Sequence, residues 1–203
     1  MRLAVAPVRF LRRARDLFTT PAAKAMALAE GARLGKGVRF IGLPVISLAR
    51  DSEMRIGERS LLCSATRGNA LGISHPVVLR TWLPGATLRV APDVGISGAT
   101  ICASVRIEIG QGTLIGANAL IVDNDFHPTN GPARRYADNP QPRPEDAVII
   151  GANVFVGTGA MILKGSTIGD DAMIGAGAVV SGSVPAGAAV VGNPARVVKS
   201  NSP

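Results

Sequence analysis

Aromatic side chains are nearly missing from this 203-residue chain: five Phe, one Trp and one Tyr make up 3% of it. A core keyed around large rings is thereby excluded, and aliphatic side chains must fill it by repetition. Cysteine is scarcer still. Cys63 and Cys102 are too few and too far apart for a disulfide framework or a thiolate metal cluster, which fits a reducing compartment. The chain has only two histidines, His75 and His127, one short of a three-histidine zinc site. No apolar run approaches the length of a membrane span. The opening MRLAVAPVRFLRR departs from a signal peptide, because Arg9, Arg12 and Arg13 interrupt its apolar stretch and no small-residue cleavage site follows. A cytoplasmic location is expected.

What is abundant points to a folded, turn-rich, β-leaning protein: 47% of residues are hydrophobic, with 24 Gly and 14 Pro in no collagen-like period. The net charge of +8 is unevenly placed. Residues 1–39 hold nine Lys and Arg against Asp16 and Glu30, a segment charge of +7, and the remaining 164 residues carry +1. The body of the protein therefore lacks the basic footprint that nucleic acid requires. Phe10, Ala14 and Leu17 fall at helical spacing among arginines, and Thr20 before Pro21 reads as the N-cap and first residue of a second, Ala-rich helix. Residues 1–33 are expected to be helical. They either cap the end of the main fold or form a basic amphipathic surface for peripheral contact with an anionic membrane.

From Ile150 the chain runs IGANVF, VGTGAM, ILKGST, IGDDAM, IGAGAV, VSGSVP, each block led by an aliphatic residue with a small residue fifth. The same grammar precedes it, led by Ile109, Ile115 and Ile121, and earlier by Val90, Ile96 and Cys102, with one inserted residue between the two frames. Weaker copies begin at Leu34, Phe40, Ile46, Ile56 and Leu62, and at Leu71, Val77 and Leu83. A period of six suits neither a helix nor a hairpin meander. Three blocks per turn would stack short strands in parallel at about 4.8 Å, with the leading aliphatics as internal columns and Gly, Asp and Asn at the corners. The expected organisation is a helical cap over 1–33, a triangular β-prism over 34–185 and a tail over 186–203.

These residues resemble the hexapeptide-repeat acyltransferases, most closely the maltose, galactoside and exopolysaccharide O-acetyltransferase branch. The resemblance rests on the hexads, on IVDNDFHP from Ile121 to Pro128, and on VVGNPARVVK after the last coil. It implies an all-β solenoid, the left-handed parallel β-helix. It also implies a homotrimer with each cleft between two subunits, acetyl-CoA as donor, a small-molecule or glycan acceptor, and no required metal.

His127 stands where the next leading aliphatic is due, and there the repeat stops for the Pro-rich excursion 128–147. Long excursions from a regular solenoid tend to be functional. An imidazole can take the proton of a hydroxyl as it attacks a thioester, so His127 is the candidate general base, in line with the role the resemblance gives a histidine here. Asp123 or Asp125 is expected either to orient the imidazole or to make corner turns. His75, fifth in a hexad, either lines the acceptor side of the cleft or makes a buried hydrogen bond. By resemblance Phe155, Thr158, Ala176 and Ser181 line a coenzyme A groove, and Arg196 and Lys199 lie near its phosphates. Gly182 departs from the Lys that the family often has. Within the excursion, Tyr136 offers an apolar face to a sugar and Arg134 and Arg135 suit anionic groups; alternatively the arm seals the trimer. A metalloenzyme of the γ-class carbonic anhydrase kind is disfavoured by the histidine count, and a catalytically silent prism would leave IVDNDFHP, the arm and the cationic ending without purpose.

Overall fold

A computed structural model describes residues 19–131, 134–138 and 140–199. Its strands form three sheets, here A, B and C, of seven, eight and six strands, and successive strands pass from A to B to C and round again. Every pairing is parallel except the last, in which Arg196–Lys199 folds back antiparallel on Ala189–Val191. Each sheet is one face of a triangular prism, and the chain turns at three edges.

The six-residue period causes this. A strand of two to four residues offers one inward position, and the corner that follows absorbs the rest of the hexad. In-register pairing then stacks the inward residues: Ile109, Ile150 and Ile168 in sheet A, Ile115, Val156 and Ile174 in sheet B, Ile121, Ile162 and Val180 in sheet C. All are buried in one continuous aliphatic core. At the corners Gly keeps successive coils close; a Cβ on Gly157 would sit 2.5 Å from the backbone nitrogen of Ala176 in the coil above.

Two frames depart from expectation. Ile101, not Cys102, stacks between Leu79 and Ile121, because the strand Thr100–Ala103 begins one residue early and the extra residue is absorbed before Ile109. Leu71, Val77 and Leu83 lead no coil. Leu71 is exposed, and Leu79 and Val90 hold the columns instead. The reason is a second excursion, residues 64–77, between Leu61–Cys63 of sheet B and Val78–Thr81 of sheet C.

At the amino-terminal end, residues 19–29 are helical and bury Ala23 and Ala27 against the core. Thr20 lies within this helix instead of capping it, and its hydroxyl donates to the Phe40 carbonyl (2.8 Å) and accepts the Phe40 N–H (3.2 Å). The helical spacing of Phe10, Ala14 and Leu17 falls outside the described residues, as do five of the nine basic residues of 1–39. At the other end, Ala189–Val191 extends sheet B beyond residue 185.

Candidate active site

The IVDNDFHP run leaves sheet C at the C–A edge, and each residue after Val122 is tied to a different neighbour. Asp123 is fully buried, and its carboxylate accepts the backbone N–H groups of Ser104 (2.6 Å), Val105 (2.8 Å) and Arg106 (2.8 Å) from the coil below. Burial raises its pKa against the pull of those amides. Asn124 donates to the Ser104 hydroxyl (3.0 Å) and accepts the Phe126 N–H (2.8 Å). That turn holds Phe126 at φ 61°, a left-handed conformation that costs a residue with a side chain about 1–2 kcal/mol. The Phe126 and Trp82 rings meet in a T-shaped contact, 6.2 Å between centroids and 74° between planes. The next side chain, His127, is thereby thrown outward and is exposed.

Asp125 reaches to the coil above, where Lys164 Nζ lies 2.6 Å from its carboxylate. The same ammonium is 3.8 Å from Asp146, at the end of the excursion. One lysine thus clasps both ends of the arm, and its pKa is raised, chiefly by the hydrogen bond to Asp125. Asp146 is itself buried and accepts the Arg143 N–H (2.8 Å). The His127 backbone N–H donates to the Asp125 carbonyl (2.7 Å), but among the described residues no hydrogen bond joins its imidazole to the carboxylate of Asp123 or Asp125. Of the two readings of these carboxylates, Asp123 takes the corner contact, whereas Asp125 makes an ion pair that neither reading included. Lys164 was not singled out from the sequence; the only hint is a long cation at a corner of the hexad ILKGST, where small residues usually sit. Farther out, Tyr136 is 81% exposed with the Arg135 guanidinium 5.5 Å from its ring, and Arg134 donates to the Thr129 carbonyl (2.9 Å).

His75 belongs to the B–C edge, at the end of the excursion 64–77. Its loop climbs from the second coil to the fourth, where the Ser74 N–H and hydroxyl donate to Asn118 Oδ1 (2.8 and 2.9 Å). Thr158 and Ala176 stand on the same edge in the fifth and sixth coils, linked by the Gly177 N–H to the Thr158 carbonyl (2.9 Å). Phe155 lies on the outer face of sheet B, about half exposed, between Leu114 and Met173. Arg196 and Lys199 are exposed on the final strand at the top of that sheet. Ser181 falls on the C–A edge, two coils above the His127 excursion, and is not brought together with Thr158 and Ala176 within one chain. Gly182 has φ 103°, which disfavours Lys or any other residue with a Cβ.

Neither thiol is a credible nucleophile. Both are buried, and burial beside Asp123 pushes Cys102 up to about 11. Among the described residues no cluster of three His, Cys, Asp or Glu could hold a metal ion.

Comparison with known proteins accords with the fold. Residues 147–182 match the bacterial transferase hexapeptide family of six repeats. Among curated proteins, a 62-residue stretch is 45% identical to the 2,3,4,5-tetrahydropyridine-2,6-dicarboxylate N-acetyltransferase of Staphylococcus aureus, covering 30% of this chain and 26%, about a quarter, of that relative. Among solved structures, a hexapeptide-repeat acetyltransferase of Vibrio cholerae complexed with acetyl-coenzyme A superposes with a TM-score of 0.56 at 20% identity, over 98% of this chain and 92% of its own. A maltose O-acetyltransferase of Clostridium difficile gives 0.54 at 23%, over 87% and 73%. The hexads and the shared architecture make this chain a hexapeptide-repeat left-handed parallel β-helix.

Proposed function

We propose that this hexapeptide-repeat protein is a coenzyme A-dependent O-acyltransferase, moving acetyl from acetyl-CoA to a hydroxyl of a saccharide or glycan precursor with His127 as general base. The observation that carries the reading is an order along the prism axis. The cations Arg196 and Lys199 are at the top, the small residues Ala176 and Thr158 with the flat ring of Phe155 are one and two coils below, and both histidine-bearing excursions reach the fourth coil. Coils rise by about 4.8 Å. A donor with phosphates at one end, a slender arm and a thioester at the other meets matching chemistry at each level.

The step is a direct transfer. The acceptor hydroxyl attacks the thioester carbonyl carbon as His127 takes its proton; the C–S bond breaks, the acetyl ester forms, and the imidazolium returns the proton to the coenzyme A thiolate. No covalent enzyme intermediate is needed, in keeping with two buried thiols.

The donor residues and His127 occupy different edges, and a homotrimer reconciles them. The outer face of sheet A carries an open groove of about 700 Å³ along Arg55, Arg89, Glu108 and Ile149, and the outer face of sheet B carries the exposed row Leu114, Phe155 and Met173. Packing A of one subunit toward B of the next sets the A–B edges at the threefold axis. The C–A edge of one chain then borders the B–C edge of its neighbour, so His127 and Ser181 face a groove floored by the neighbour's Thr158 and Ala176. The arm, with Tyr136, Arg134 and Arg135, overhangs the acceptor.

The test is incubation with acetyl-CoA and a panel of sugars, oligosaccharides and amines, following free thiol. Thiol release with a saccharide is expected. No release with any acceptor, together with no acetyl-CoA binding by calorimetry, would overturn the reading, and release with amines alone would replace O-transfer by N-transfer.

A further inference from the structure

The loop bearing His75 is held as firmly as the strands around it. Thr66 donates its hydroxyl to the Ile73 carbonyl (3.1 Å), the Val77 N–H donates to the Ser64 hydroxyl (3.0 Å), and Asn118 receives both donors of Ser74. Ile73 is buried over Gly98, where a Cβ would come within 2.6 Å of the Ile73 side chain and 2.9 Å of the His75 carbonyl oxygen. A sequence that makes an exposed fourteen-residue loop lie this closely on the prism fixes what is at its end.

At that end the imidazole is fixed too. His75 Nδ1 lies 2.8 Å from the Pro76 carbonyl oxygen. A carbonyl can only accept, so Nδ1 carries the hydrogen, and in the neutral ring Nε2 is left with its lone pair free. Ser74 touches Asn118 in the fourth coil, one coil below Thr158 on the same edge, and the fourth coil is also the one from which the His127 excursion departs. The lower end of the proposed donor track therefore meets a half-buried imidazole whose tautomer is set by the main chain.

We infer that His75 is an acceptor-binding residue whose Nε2 accepts a hydrogen bond from a hydroxyl next to the one that reacts, which selects acceptors with vicinal hydroxyls over simple alcohols. This rests on the transferase reading above. His127 takes the proton of the attacking hydroxyl, and His75 takes none. It holds the neighbouring hydroxyl, and with it the rotation of the ring that bears both.

The experiment compares His75→Phe, which keeps the shape without the acceptor atom, with His75→Gln, which restores a hydrogen-bonding atom at that reach. Methyl β-galactoside and maltose are the vicinal acceptors, and 2-propanol is the control. His75→Phe should raise the KM for the sugars about tenfold or more, the loss of one ligand hydrogen bond. The KM for acetyl-CoA and any turnover of 2-propanol, which has no second hydroxyl for His75 to hold, should stay within about threefold, and His75→Gln should recover most of the sugar affinity. Nitrogen NMR of histidine-labelled protein should show hydrogen on Nδ1 of His75 and a shift of Nε2 when sugar is added. An unchanged sugar KM in His75→Phe, or hydrogen on Nε2 in the neutral ring, overturns the inference. If neither sugar is acetylated but acetyl-CoA moves the His75 resonances, the acceptor assignment falls while the donor track stands. If acetyl-CoA binds without moving them, the track itself falls.

Discussion

Replacing Asp123 separates a structural carboxylate from a catalytic one. Three backbone N–H groups of residues 104–106 end on its two oxygens at 2.6–2.8 Å; Asp123 and Ser104 are buried, Val105 half-buried and Arg106 exposed. Each buried donor left without a partner costs about 1–3 kcal/mol, so Asp123→Ala, which frees all three but admits some water, should cost about 3–6 kcal/mol. Asp123→Asn keeps one acceptor oxygen and turns an NH2 toward a donor; about 2–4 kcal/mol is expected. Against a typical total of about 5–15 kcal/mol, the alanine variant is at risk of not folding and the asparagine variant is the working measurement. Guanidinium unfolding should be followed twice. Trp82 is the only tryptophan, and it packs on Phe126 beside this edge, so its fluorescence reports the edge itself. Far-UV circular dichroism reports the prism. The expected outcome is a lower midpoint by both probes, with the pH profile of the folded variant's turnover unchanged. An Asp123→Asn cost below about 0.5 kcal/mol with a shifted pH profile would refute the assignment and give Asp123 to the imidazole.

Other outcomes follow from the same contacts. His127→Ala should lower turnover about 10²–10⁴-fold with acetyl-CoA affinity and unfolding midpoint nearly unchanged, measured by thiol release and calorimetry. Co-refolding equal amounts of His127→Ala and a groove-blocked Ala176→Trp should restore activity at about a quarter of the sites if each site joins two subunits, and at none if it lies within one chain. Ile101→Ala should cost about 2–4 kcal/mol in chemical unfolding and Cys102→Ala markedly less, because only the former leaves a gap in the inward column. Lys164 has its pKa raised by its carboxylate partners, so the clasp is complete at neutral pH and is lost as pH rises through a value above 10.5. Limited proteolysis within 128–143 should accelerate there in the wild type, and Lys164→Met should already be cut faster at pH 7.

The sequence is most transparent where each residue acts through its period. From Ile109 onward every leading aliphatic proposed from the hexads occupies an inward column, since a corner of fixed length leaves the next inward position no choice. The earlier coils are opaque where corner lengths vary. Leu71 and Val77 imitate hexad leaders inside a loop, and only pairing across the sheet reveals that Leu79 carries the column. The excursion at His127 could be seen because prolines mark it, whereas that at His75 hides behind residues compatible with strands. Asp123 and Asp125 look alike in the string VDND, and their different partners depend on which coil each side chain faces, a vertical neighbour about eighteen residues away or more. Lys164 escaped for the same reason: its partners lie 39 and 18 positions before it.

The excursion between the fourth and fifth coils also bears on how the chain assembles. Ile109 pairs with Ile150, 41 positions on, whereas Ile150 pairs with Ile168 only 18 positions on. Because the entropy of closing a loop grows only with the logarithm of its length, that longer step costs about 0.7 kcal/mol more than an uninterrupted coil. A solenoid can therefore grow a long limb at any corner with almost no thermodynamic consequence, provided the coils on either side still meet in register. The kinetic consequence is different. The coils below and above the limb can each condense from local contacts, the His75 loop among the former, and their junction is the slow, long-range event that any nascent chain must complete before the His127 excursion is held between its two coils.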